Sequence, residues 1–156
     1  MEDRKEALKL SRTFRAPREI VFEAWSSAEH VSRWFAPEPL TVPNAKVELR
    51  AGGAFEICMR FPNGGEHWSR GTFVEVEPPR RLVFEGEALG LKGEPAFRAR
   101  TEVDFTEVPG GTRLDVTQTY TILDPSAEAM IKGAPQGWAS TLDNLAREVA
   151  RMQGGG

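Results

Sequence analysis

Two histidines, one cysteine and three glycine pairs are the places where this chain could hold reactive chemistry. His30 and His67 stand in no HxxxH, HExxH or mixed Cys/His spacing, so neither a structural zinc nor a metallohydrolase centre is expected. His30 reads as a surface residue of a short helix, and His67 as a neighbour of a hairpin turn. Cys58 alternates with Ile57 and Met59 and should point to the opposite face of its strand. A thiol nucleophile needs a base and an orienting partner, and the sequence identifies neither, so Cys58 reads as a packed or partly exposed thiol. The glycine pairs at 52–53, 64–65 and 110–111 have no Walker or dinucleotide pattern and no following helix, so they read as turns. No catalytic residue, metal or cofactor follows from these residues.

The apolar residues are the more informative chemistry. Trp34, Phe35, Phe55, Phe84, Phe97 and Trp138 either fill a core or wall a cavity, joined by Ile57, Met59 and Leu142 on the same surfaces. Arg70 shares a strand face with Trp68, Thr72, Val74 and Val76. If that face looks inward, Arg70 is a cation in an apolar enclosure and needs a carboxylate such as Glu85 or an anionic ligand group. If it looks outward, Phe73 is the inward residue. Thr101, Gln118 and Tyr120 can each hydrogen-bond a ligand or simply a neighbour.

Composition narrows the classes. A chain of 156 residues is one domain, taken here as 1–156 with 153–156 as a flexible tail. Net charge is −3 with acids and bases interspersed, so no basic field suggests a nucleic-acid partner or a membrane surface. A single cysteine fits a reducing compartment, the N-terminus lacks the apolar run of a signal peptide, and no stretch approaches a membrane span. The expectation is a soluble cytoplasmic protein, monomeric or homodimeric.

These residues must be positioned mainly by strands and one long helix. Over 136–152, Trp138, Leu142, Leu145, Val149 and Met152 recur at helical spacing and form one apolar stripe. Asn144, Arg147, Glu148 and Arg151 fall on the far face, where Asp143 and Arg147 stand at ion-pair spacing. Upstream, alternation predicts a strand over 7–14, then two short helical stretches, the second capped by Ser27. Pro37, Pro39 and Pro43 predict a loop. Strands follow over 45–50, 54–61, 66–77, 81–87, 96–107 and 112–121, separated by Gly- and Pro-rich turns and a connection over 88–95. Phe55, Ile57, Met59 and Phe61 should share one face. A helical turn from Asp124 to about Lys132 precedes the long helix, separated from it by Gly133 and Pro135. Consecutive strands with short loops predict an antiparallel meander with helices on one face, an α+β domain curling around the last helix.

The stretches RTFRAPREIVFEAWSSAEHVSRWFAP, RAGGAFEICMRFPNGG, RGTFVEVEPPRRLVF, FTEVPGGTRLDVT and GWASTLDNLA, in this order, resemble the activator of heat-shock-chaperone ATPase homologue family. That family lies within the START-like (SRPBCC, helix-grip) superfamily, and the resemblance implies a part in the stress response. The resemblance implies a curved antiparallel sheet of about seven strands around a long C-terminal helix, with two short helices after the first strand. It also implies a cavity between sheet and helix, which in the superfamily often holds lipids, sterols, polyketides or other apolar molecules. The matching motifs are turns, strand patterns and core aromatics, with no catalytic signature among them. Eukaryotic chaperone activators carry an additional N-terminal domain for which these residues leave no room, so this chain alone is not expected to stimulate a chaperone ATPase. The leading expectation is a binder of a small apolar molecule through Trp34, Phe35, Phe55, Ile57, Met59, Arg70, Phe84, Phe97, Trp138 and Leu142. A polyketide cyclase or dehydratase-like enzyme, and a co-chaperone or protein-interaction module working through the outer sheet face, are the alternatives. In the region of Trp34 and Phe35 a mobile lid is expected, and the pocket is expected near the Trp138 end of the helix.

Overall fold

The computed structural model describes residues 5–89 and 93–154. Strand β1 (Lys5–Phe14) leads into two short helices, α1 (Arg18–Glu23) and α2 (Ala28–Trp34). Six strands follow: β2 (Thr41–Val47), β3 (Ala54–Arg60), β4 (Glu66–Glu77), β5 (Arg81–Leu89), β6 (Pro95–Val108) and β7 (Gly111–Ile122). Helices α3 (Ala127–Lys132) and α4 (Ala134–Gln153) close the chain. The seven strands form one antiparallel sheet in the order β1-β7-β6-β5-β4-β3-β2, a meander whose last strand is joined by the first. Residues 90–92, within the predicted connection, and the end of the predicted tail at 155–156 lie outside the described residues.

Turn chemistry behaves as the sequence dictates. Gly52, Gly64 and Gly110 take positive φ, the conformation that lacks a penalty only without a Cβ. The Asn63 side chain accepts from the Gly65 amide within the β3–β4 turn. Ser27 caps α2 by accepting from the His30 amide.

The stripe of α4 packs on the concave face of the sheet. Trp138, Leu142, Leu145 and Val149 join Phe14, Val21, Trp25, Val31, Phe73, Leu82, Val103, Phe105, Leu114 and Val116 in one core. On the outer face, charges are paired in ladders across neighbouring strands. Arg81 meets Glu75, Glu102 and Asp104, Arg100 meets Glu85, and Arg98 meets Glu87.

Several expectations need correction. The proline segment is not all loop: Pro43 lies inside β2. This is possible because β2 is the sheet edge and its register shifts between Thr41 and Asn44, so no ladder partner misses the absent N–H. That strand also begins earlier than 45. Phe61 lies beyond β3 and is exposed, because the chain has already entered the turn. Gly133 does not separate α3 from α4 by a loop; it is a single residue between them in right-handed helical conformation. Helix α4 runs on through Gln153, into the predicted tail.

The far face of α4 is the largest correction. Asp143 pairs with Arg12 of β1 rather than with Arg147, which reaches Glu38 at 2.7 Å. Asn144 donates to the Ala36 carbonyl. Glu148 is only 4% exposed. Its carboxylate accepts from Arg151 at 2.8 and 2.9 Å, from His30 Nδ1 at 2.8 Å and from Arg33 at 3.4 Å. His30, expected at the surface, is thus half of a clamp between α2 and α4. Helical period alone could not reveal this, since α2 covers a face of α4 that the sheet leaves free.

Candidate functional site: a cavity between sheet and helix

The inward row of the central strands explains why the interior is not filled. Phe73 and Leu82 are large and buried, but the same rows continue as Gly71, Ser69 and His67 on β4, and as Gly86 and Ala88 on β5. Ala99 continues the small row on β6, opposite Gly86. Gly71 and Gly86 face each other across the β4–β5 ladder. Their backbones approach so closely that a Cβ on Gly71 would lie 2.1 Å from the Glu85 carbonyl oxygen, and one on Gly86 would lie 2.6 Å from that of Arg70. Small side chains on three adjacent strands leave a cavity of about 440 Å³ under the first turns of α4.

Its walls are mostly apolar. Phe35, Phe55, Phe84 and Trp138 make a continuous aromatic cluster, with Phe55 and Phe84 tilted at 4.5 Å, and Phe35 edge-to-face with Phe55 at 5.4 Å and with Trp138 at 5.8 Å. Met59 and Phe97 line it on the sheet side, and Ala129, Met130 and Ile131 of α3 line it on the helix side. Helix α4 contributes Ala134, Gly137, Trp138 and Thr141, so the cavity lies at the Trp138 end, while Leu145 and Val149 are core.

The residues singled out from the sequence divide into two groups. Phe35, Phe55, Met59, Phe84, Phe97 and Trp138 line the cavity. Trp34, Ile57 and Leu142 do not; each is 1% exposed and belongs to the core behind it. Trp34 donates its indole N–H to the Ala24 carbonyl and packs on Trp25 at 4.7 Å, and Phe35 is wedged among Trp25, Phe55 and Trp138. Both are fixed by packing, which corrects the lid expectation. Arg70 borders the cavity, but its side chain is exposed on the outer face, with the guanidinium 5.1 Å from the Trp68 ring centroid. The inward-cation alternative is therefore wrong, because Phe73 and Gly71 hold the inward positions of that strand. Cys58 is buried opposite Trp68 in the ladder, and burial pushes its thiol pKa up, so it is an unreactive packed thiol.

Sequence reading missed His67, Ser69, Gly71, Gly86, Ala88 and Ala99 as cavity residues. Glycine inside a strand signals close backbone approach, and that signal stood at both Gly71 and Gly86. His67 gave none. Its Nδ1 lies 2.7 Å from the Leu89 carbonyl oxygen, and burial holds its pKa below the ordinary value.

A polar relay occupies the opposite end. Trp138 Nε1 donates to Gln118 Oε1 at 3.0 Å, Tyr120 donates its hydroxyl to the same oxygen, and Gln118 Nε2 donates to Thr101 Oγ1 at 2.7 Å. Burial pushes the Tyr120 pKa up, so this phenol stays a donor. Among the described residues no cluster of His, Cys, Asp or Glu could hold a metal ion, and no helix is long and apolar enough to cross a membrane.

Comparison with solved structures finds the same architecture. A protein from Rhizobium leguminosarum is 27% identical, with a TM-score of 0.84 over 96% of this chain and 97% of the other. Protein NE0264 from Nitrosomonas europaea is 26% identical, with a TM-score of 0.76 over 95% and 96% of the two chains. An AHSA1-like protein from Aeromonas hydrophila is 27% identical, with a TM-score of 0.71 over 95% and 94%. No curated protein matches the chain. Residues 15–150 match the family described as Activator of Hsp90 ATPase homolog 1-like protein. With nearly the whole chain matched and the seven-stranded sheet closed around α4, this protein belongs to that family, within the START-like helix-grip fold.

Proposed function

We propose that this protein binds a small, largely apolar molecule in the cavity between the sheet and α4. The observation that carries this reading is the run of small inward residues, Ser69, Gly71, Gly86, Ala88 and Ala99, set opposite the Phe35–Phe55–Phe84–Trp138 cluster. A fold selected only for stability gains by filling such a space, since each unfilled volume forfeits dispersion contacts. An apolar cavity of this size with a few convergent polar groups is the usual form of a small-molecule site.

Two features favour this reading over its rivals. Among the described residues, the large exposed apolar side chains are Phe61 and Val74 alone, and the outer face is laced with ion pairs. That surface resembles a solvated exterior more than a docking patch. Of the titratable groups on the inner wall, His67 is shifted toward its neutral form and Tyr120 is held protonated. Among the described residues neither is paired with a carboxylate there, which supports binding over acid–base turnover.

Titration with the neutral fluorophore N-phenyl-1-naphthylamine tests the proposal. Saturable binding with a stoichiometry near one per chain is expected, and Ala99→Leu should weaken it about tenfold or more. Absence of saturable binding, or equal binding by the filled variant, defeats the pocket reading.

A further inference from the structure

The polar groups of the cavity wall specify more than greasiness. Trp138 Nε1 can only donate, so the Gln118 atom facing it must be the oxygen, which fixes the orientation of the amide. Gln118 Oε1 also accepts from Tyr120, which uses both of its lone pairs. Gln118 Nε2 places one hydrogen on Thr101 Oγ1. Its second hydrogen has no acceptor among the described residues, and neither has the hydroxyl hydrogen of Thr101, a residue only 1% exposed. This end of the cavity therefore offers donors.

His67 sets the opposite demand. A carbonyl can only accept, so the contact with Leu89 places the proton on His67 Nδ1 and leaves a lone pair on Nε2. No partner for that nitrogen is found among the described residues. The His67 end therefore offers an acceptor.

The two ends are well separated. Gln118 pairs with Thr101, Thr101 with Phe84, and Phe84 with Phe73. His67 lies on the same strand as Phe73, six residues away, which is three inward positions. Three strand spacings are ~14 Å and six residues of strand are ~20 Å along the sheet surface, and the curvature shortens the path across the concave side. Among the described residues that line the cavity, no formal charge faces inward between the ends. Glu85 and Glu87 border the cavity through strand positions whose side chains turn out to Arg100 and Arg98, and Arg70 turns out over Trp68. A charged ligand would lose its hydration without a counter-charge.

Resting on the pocket reading above, we propose that the cavity takes an elongated, uncharged hydroxy-carbonyl compound. Its carbonyl oxygen accepts from Gln118 Nε2 and the Thr101 hydroxyl, its hydroxyl donates to His67 Nε2, and its apolar body lies along Phe55, Phe84 and Trp138.

Three probes with one twelve-carbon chain separate the parts of this statement: methyl dodecanoate, methyl 12-hydroxydodecanoate and, at pH 7.4, dodecanoate. Each is measured by displacement of N-phenyl-1-naphthylamine from the wild-type protein. The hydroxy ester should bind about threefold to tenfold tighter than the plain ester, the worth of one hydrogen bond. The carboxylate should bind at least tenfold more weakly than its ester. His67→Phe should erase the advantage of the hydroxy ester over the plain ester, a ratio in which any general change to the cavity cancels. Gln118→Met should weaken both esters about threefold to tenfold relative to N-phenyl-1-naphthylamine, which has no carbonyl, so any general damage to the cavity cancels. The wild-type ranking needs no variant to fold. Dodecanoate binding as tightly as its ester, or a hydroxyl advantage that survives His67→Phe, overturns this inference and leaves the pocket reading standing. Failure of N-phenyl-1-naphthylamine itself to bind overturns both.

Discussion

Glu148→Gln is the sharpest test of how α2 and α4 are held together. The Glu148 carboxylate sits between α2 and α4 with a side-chain exposure of 3%. Arg151 first, then His30 and Arg33, hold its pKa at about 2, against an ordinary 4.5. At ~1.4 kcal/mol per unit this corresponds to roughly 3 kcal/mol of folding free energy. Arg33 and Arg151 are 40% and 50% exposed, so solvent screening brings the expected value nearer 2 kcal/mol. The folded pKa lies below the unfolded one, so in that window the unfolded chain binds more protons. The contribution is therefore fully present above about pH 4.5 and is lost as the pH falls toward about 2. Glu23, near His30, and Glu29, beside Arg33, are the other carboxylates of the cluster. Urea unfolding of both proteins from pH 7 to pH 2.5 should give a loss of about 2 kcal/mol for Glu148→Gln at neutral pH, narrowing steadily below pH 4.5. A loss under ~0.5 kcal/mol at pH 7, or one that does not change with pH, would refute the clamp.

Other outcomes follow from the same packing. Leu145→Ala should cost about 2–5 kcal/mol in a denaturation series, because Leu145 is 0% exposed between α4 and the sheet. Arg147→Ala, which breaks only solvent-exposed contacts with Glu38 and Asn144, should cost no more than about 1 kcal/mol. Gly71→Ala should lower stability by about 2 kcal/mol or more, since its Cβ would meet the Glu85 carbonyl oxygen at 2.1 Å; a neutral effect in thermal melts would show that the β4–β5 backbones can separate freely. Ala99→Leu should leave stability within about 1 kcal/mol while reducing binding of N-phenyl-1-naphthylamine, because the added atoms enter empty space; equal loss of both would place Ala99 in a filled core.

The sequence by itself determined the elements and their order. Period-two alternation on β6 and β7, positive-φ glycines at the turns, the Ser27 cap and the apolar stripe of α4 are all local properties, written within a few residues of where they act. The inward aromatics Phe35, Phe55, Phe84 and Trp138 were legible for the same reason, since a strand or helix face follows directly from spacing. What only the tertiary structure decided is how faces meet. Glu148 reads as a solvated residue until α2 is laid over it, because its partners His30 and Arg33 lie more than a hundred residues away. Trp34 and Leu142 carry the same pattern as the cavity residues, and only three-dimensional packing separates a filled core from an open wall. The cavity itself depends on small residues from three strands arriving at one level, which is set by ladder register and not by any one segment. Likewise the unused hydrogen of Gln118 exists only because Trp138 and Tyr120, from α4 and β7, converge on its oxygen.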